Sequence, residues 1–203
     1  GAAVSETDRK AAAEAFAQAK AFGAKYSGMN GLILLDYGHY TLRPDGTQVL
    51  HSHQTRQLLK ENMKQRWGLV ALCGEEGRER VRILKASVYN PGGGIYPLDP
   101  SLIKTSRPQN DNSDFFVSGN ICLQYDLPNL AAGSIIDYET ETETYNPFRK
   151  DFFFPQWGFA DWQGPVLKSQ VDITVPQNQP FYYAARNFAG KSEPEISKTS
   201  GTT

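Results

Sequence analysis

The sequence predicts an all-β chain, an antiparallel β-sandwich preceded by one short helix. Three observations carry that expectation. Short runs rich in Val, Ile, Leu, Tyr and Phe recur along the chain, each bounded by Gly, Pro, Asn or Asp. The gaps between most of them are of hairpin length and hold no helical periodicity. Strong helix-forming composition is confined to residues 7–24.

That first segment is Ala-rich with Glu, Gln and Lys, all good helix formers. Ser5 or Thr7 can cap its start, and Gly23 stands near its end. Phe16 with Ala12, Ala19 and Gly23 makes one modest apolar stripe. From Gly31 the pattern turns to strand. Leu32–Leu35 and Tyr37–Leu42 lead into Arg43-Pro44-Asp45-Gly46, and Thr47–Lys60 returns. Pro fixes φ at the first turn position and Gly supplies a positive φ, so this is a hairpin. Val81–Tyr89, Pro91–Gly94 and Ile95–Leu98 repeat the logic, with Leu84, Ala86 and Val88 expected on one face. Further strands are expected at Leu69–Cys73, Asn120–Leu127, Ser134–Thr144, Asp151–Trp157, Val166–Val175 and Phe181–Arg186. Residues 100–119 read as a long polar loop. The chain divides into a lead-in helix at 1–24, a sandwich domain at 25–190 and a polar tail or linker at 191–203.

Bulk numbers bound the function. A chain of 203 residues, 39% hydrophobic and 12% aromatic, can build one real core. A formal net charge of -1 lacks the basic surplus of a nucleic-acid binder. No apolar run approaches the roughly 20 residues that cross a bilayer. The chain opens Gly1-Ala2-Ala3 without an initiator Met, as it would behind a removed leader. Cys73 and Cys122 sit in apolar contexts and are expected to be buried free thiols; a disulfide is the lesser alternative.

Candidate chemistry is sparse. In transglutaminase-like sites the Cys nucleophile precedes its His base, but His39, His51 and His53 all precede Cys73, and no His follows Cys122. The sequence therefore marks no catalytic residue. His51 and His53 share one face of a strand and could hold Zn²⁺ with His39; a solvated face, with Ser52 and Gln54 alternating, explains them without a metal, and no metal or cofactor is expected. Asp137, Glu139, Glu141 and Glu143 alternate with Tyr and Thr, which sets four carboxylates on one face. Such a row can bind Ca²⁺ or pair with a basic strand, for which Lys168 is a candidate; a charged, solvated face that blunts edge pairing is expected. The densest aromatic group is Phe152, Phe153, Phe154, Trp157, Phe159 and Trp162. At least one face of Phe152–Phe154 should enter the core. Trp157, Phe159, Trp162 and Tyr145 are the candidates for contact with a ligand or partner.

The order of features from Ala24 to Asn187 resembles the uncharacterised domain that precedes transglutaminase-like domains in many bacterial proteins. The pieces that carry the resemblance are Gly31–Asp36 before Arg43–Gly46, and the hairpin strand Ile83–Gly93, with Gly where that family usually has Asp. Leu127–Leu130, Gly133–Glu139, Phe152–Gln156, Pro165-Val166 and Val171–Pro176 complete it. The resemblance implies a sandwich with no assigned activity, in a parent that continues into a transglutaminase-like cysteine domain and is exported to the periplasm or beyond. The expectation is a non-catalytic accessory domain whose partner is that C-terminal domain, with protein or polysaccharide as further partners. The alternative is a carbohydrate-binding sandwich using Trp157, Trp162 and Tyr145.

Overall fold

The computed structural model describes residues 3–108 and 119–184. Helix α1 spans Glu6–Gly23. Ser5 caps it: the Asp8 N–H donates to the Ser5 hydroxyl at 3.1 Å, and the Ser5 N–H donates to the Asp8 carboxylate at 2.9 Å. This reciprocal pair satisfies donors that the helix start would leave bare. The buried stripe is Ala12, Ala15, Ala19 and Phe22, so Phe22 is the large anchor, and Phe16 packs only partly buried beside it.

The strands are β1 (Gly31–Leu42), β2 (Gln48–Leu58), β3 (Leu69–Glu75), β4 (Glu79–Tyr89), β5 (Ile95–Tyr96), β6 (Lys104–Ser106), β7 (Asn120–Asp126), β8 (Ile135–Thr144) and β9 (Ser169–Thr174). A one-turn helix, α2 (Lys64–Trp67), leads into β3. Among the described residues they form a six-stranded sheet, β5-β4-β8-β2-β1-β9, and a three-stranded sheet, β3-β7-β6. The sheets pack face to face through Ile33, Leu58, Ile83, Ala86, Val88 and Ile136 on one side and Val70, Tyr125 and Leu127 on the other. On the outer face of the large sheet, α1 covers Leu32, Leu34, Tyr89 and Ile135. The chain is thus all-β, sandwich-like, with one substantial helix at its start.

Five local expectations are corrected. β9 runs parallel to β1, pairing Asp36 with Ser169 and Thr41 with Thr174; parallel neighbours need a crossover, supplied by residues 145–168. That crossover contains Asp151–Trp157, which forms no strand because it passes over the sheet instead of alongside it. The expected face Leu84, Ala86, Val88 is broken by a bulge between Ile83 and Lys85. The extra residue turns Leu84 outward at 43% exposure and sends Ile83 into the core. Phe181–Ala184 is not strand. Within the expected 100–119 loop lie a 3-10 turn at Pro100–Leu102 and β6. Residues 109–118, Ala185 and Arg186, and the 191–203 tail fall outside the described residues.

The two cysteines are joined, which overturns the expectation of free thiols. β3 and β7 pair so that Cys73 stands directly opposite Cys122, with Cα atoms 4.1 Å apart. Such cross-strand neighbours bring the two sulfurs together without moving the backbone.

The β1–β2 hairpin forms as expected. The Gly46 N–H donates to the Arg43 carbonyl at 3.0 Å, and Asp45 accepts from the Thr47 N–H at 2.9 Å. Gly46 has φ 85°, and a Cβ there would lie 2.7 Å from Lys150 Cβ. Gly46→Val should therefore cost about 1–3 kcal/mol, read as a lower melting midpoint. An unchanged midpoint would mean that the turn is not built this way.

Candidate functional site

Residues 145–168 leave β8, cross the inner face of the large sheet beyond the small sheet, and return the chain to β9. Their anchors explain where the candidate aromatics go. Gln48 Nε2 donates to the Phe152 carbonyl at 2.9 Å, and the Tyr40 hydroxyl donates to the Gln156 carbonyl at 3.1 Å. Trp157 packs against Gly38, where a Cβ would come within 2.4 Å of its ring, and its indole N–H donates to Ser169 Oγ at 3.0 Å. A glycine inside a strand marks this kind of close approach. Trp157 is therefore a packing residue of the crossover.

The other candidates do not join it. Trp162 is 80% exposed with the Arg66 guanidinium 4.9 Å from its ring centroid. Tyr145 lies under Arg80 at 4.1 Å, and Phe159 is half-buried. β1 carries Gly31 at the Trp67 end and Gly38 near its middle, about 23 Å apart at strand rise. The four expected contact residues are spread along the sheet and form no common groove.

What the crossover does expose is a different set. Phe148 is 83% exposed, Phe152 58% and Phe154 68%, and the last two stack with centroids 6.3 Å apart. They cluster where the β1–β2 and β3–β4 turns meet: Lys150 packs on Gly46, Arg78 lies over Phe148, and Asn146 donates to the Gly77 carbonyl at 3.2 Å. β9 ends beside Thr41 at this same end of the sandwich. Of the two faces of Phe152–Phe154, one of which was expected in the core, Phe152 and Phe154 are exposed and Phe153 is only half-buried, since a crossover segment has no second layer above it. Phe148 went unmarked because it stands alone between Pro147 and Arg149 instead of in a patterned run.

The outer face of the large sheet holds the carboxylate row. β8 is a central strand, not an edge, and its bases come from β4, β2 and the β1–β2 turn instead of Lys168. Arg82 pairs with Glu141, Arg80 with Glu143 at 2.9 Å and Arg43 with Glu143 at 3.2 Å. His51 contacts Glu139 at 3.0 Å, and His39 turns away to Thr174 at 2.8 Å. Among the described residues no three His, Cys, Asp or Glu side chains converge on a metal position.

Asp137 differs from its row. It is 4% exposed and accepts from His53 at 2.6 Å, Lys85 at 2.6 Å, Tyr89 at 2.8 Å and Thr55 at 3.4 Å. Burial alone would raise its pKa, but the hydrogen bonds and positive charge of His53 and Lys85 win and hold it at about 2. The same carboxylate, after burial, pushes the Tyr89 phenol upward. Tyr37 is pushed up to about 12, by burial first and then by its 2.7 Å bond to Asp172. With every oxygen committed, Asp137 organises a buried network and offers no free base. The sulfurs of Cys73 and Cys122, being bonded to each other, offer no thiolate.

A two-sheet β-sandwich with an aromatic-bearing crossover, and with no triad assembled among the described residues, is the class that fold and site define. The chain belongs to the domain of unknown function DUF3857, whose family model matches residues 44–203. Among solved structures it is similar to a presumed protease of Parabacteroides distasonis ATCC 8503, at TM-score 0.63 and 15% identity. The match covers 74% of this chain and 30% of that one, so the chain spans less than a third of its neighbour's length. It is also similar to the family 3a carbohydrate-binding module of the Clostridium thermocellum scaffoldin cipA, at TM-scores of 0.33 and 0.32 and 9% and 10% identity. Those matches cover 57% of this chain and 68% and 76% of the modules. At that overlap they carry no argument about ligand. None of the curated proteins matches the sequence. Among the described residues no helix is long and apolar enough to cross a membrane.

Proposed function

We propose that this chain is a non-catalytic docking domain of a longer, exported polypeptide, and that the segment following β9 packs against the Phe148, Phe152 and Phe154 end. The observation that carries the reading is positional: the three exposed phenylalanines of the crossover, Phe148, Phe152 and Phe154, and the exit of β9 share one end of the sandwich. Exposed aromatics clustered in this way mark contact surfaces. The chain goes on past β9 with Tyr182 90% and Tyr183 54% exposed. The expected partner is a transglutaminase-like cysteine domain. Support for an exported parent comes from the Cys73–Cys122 bond, which persists in oxidising compartments.

The test is the triple variant Phe148→Ser, Phe152→Ser, Phe154→Ser, made both in the isolated chain and in the longer protein. Its side chains are exposed, so the isolated chain should melt within a degree or two of the parent sequence. In the longer protein, the partner domain should lose at least about 1 kcal/mol of the stability that docking confers. Equal losses in both settings, or none in either, would remove the proposal. Retention of polysaccharide by the isolated chain, lost in the triple variant, would replace it with the carbohydrate-binding reading.

A further inference from the structure

Between the two sheets, at the end nearest α2, lies a cavity of about 170 Å³. Its lining residues include Arg56, Arg66, Trp67, Val70, Ile136 and Tyr138, and among the described residues no carboxylate lines it. Arg56 projects from β2 onto the inner face, where strands normally present apolar side chains to the opposing sheet. Its guanidinium sits between two aromatic rings, 5.3 Å from the centroid of Trp67 and 5.8 Å from that of Tyr138. Among the described residues it makes one hydrogen bond, from Nη2 to Gln54 Oε1 at 2.7 Å, and its buried Nε has no partner.

A guanidinium carries five N–H donors, and leaving a buried one unpaired is unfavourable. A cation in this setting calls for an acceptor. Asp36 feels the charge of Arg56, but its carboxylate accepts from the Gln54 amide at 2.7 Å, and the hydrogen bond of Arg56 goes to the other end of that amide. The surrounding side chains are fixed in place. Trp67 is wedged against Gly31, where a Cβ would fall 2.3 Å from its ring, and its indole N–H is held by Gln163. The Tyr138 hydroxyl is held by the carbonyl oxygen of Gln54 that also accepts from Arg56. Arg66 stands at the mouth, stacked on the exposed Trp162. Two arginines, rigid aromatic walls and an apolar floor of Val70 and Ile136 match a carboxylate on a short aliphatic stem. The carboxylate meets the guanidinium, and the stem lies on the apolar floor.

We propose that this inter-sheet cavity binds a carboxylate, with Arg56 as its anchoring donor and Arg66 as the guide at the mouth. The carboxylate is that of a free short-chain acid or of a glutamate side chain of a polypeptide. Both present the same group on the same stem, and they are separated by experiment.

The chain, labelled with ¹⁵N, is titrated with glutarate, with the neutral isostere glutaramide, and with N-acetyl-Gly-Glu-Gly-amide beside its Gln counterpart, following the Arg56 Nε–Hε resonance. Glutarate or the Glu peptide should shift that resonance saturably, and the neutral probes should leave it in place. Tighter binding of glutarate assigns a free acid, and tighter binding of the Glu peptide assigns a polypeptide side chain. Arg66→Gln, at an exposed position, should weaken binding severalfold without altering the melting midpoint. Arg56→Met, which keeps the aliphatic stem, should abolish it. Should Arg56→Met fail to fold, the Nε–Hε titration and Arg66→Gln decide alone. The proposal is overturned if neither acid moves the resonance, if the neutral probes move it equally, or if Arg66→Gln binds glutarate as tightly as the parent sequence.

Discussion

Replacing Cys73 and Cys122 together with Ala is expected to destabilise the chain by about 4 kcal/mol. The bond closes a sequence separation of 49 residues, and the loop entropy returned to the unfolded chain at that length is about this size. The native structure offers little redundancy against the loss. The small sheet has three strands, β6 contributes only Lys104–Ser106 to it, and Cys122 is among its few buried side chains. For a chain of this size the melting midpoint should fall by roughly 8–16 °C. Reduced parent protein should melt with the double variant. A fall of only a degree or two would mean that Val70, Tyr125 and Leu127 hold β3 and β7 without help from the staple.

Asp137→Ala is expected to cost about 3–5 kcal/mol, because it removes the shared acceptor of a buried network, leaving Lys85 without its ion-pair partner and stripping His53 and Tyr89 of their hydrogen bonds to it. The pH dependence gives a second signature. The folded carboxyl lies at about 2 against an ordinary 3.8, so its ionised form stabilises the fold. That contribution, on the order of 2 kcal/mol, is complete above the ordinary value and is lost as pH falls from 3.8 through 2. Unfolding in urea should show the parent sequence losing its advantage over Asp137→Asn across that window. A constant gap between the two from neutral pH down to 2 would mean that Asp137 does not titrate as described.

The sheet class, the helix and the first hairpin were legible because each rests on local chemistry. Ser5 with Asp8 caps a helix wherever it occurs, and Pro44 with Gly46 turns a chain without outside help. What was illegible depends on partners distant in sequence. Nothing near Cys73 announces that β7 will lie beside β3, and without that register the two thiols look merely apolar. Leu84 obeyed the period-two pattern until one extra residue reversed it. Asp137 looked like its neighbours in a row of carboxylates, but it stands where α1 and Tyr89 close the face over it, and Glu141 and Glu143 stand where the face is open. Phe152–Phe154 has strand-like composition, yet it belongs to a crossover that a parallel last strand makes necessary. The one missed clue within reach was Gly38, a glycine in mid-strand that left a place for Trp157.

The family match begins at residue 44, just past β1, and β1 lies between β2 and β9. The stretch that sequence comparison recognises as inherited together is therefore not the stretch that folds together. A polypeptide trimmed to that boundary would keep β9 but lose the strand it hydrogen-bonds to. It would also bare the flank of β2 and discard the helix that roofs Tyr89 and Ile135. Two unpaired backbone edges on one molecule invite stacking of copies into aggregates. Longer relatives are accordingly best divided ahead of α1, since the boundary visible in aligned letters cuts through the middle of a hydrogen-bonded sheet.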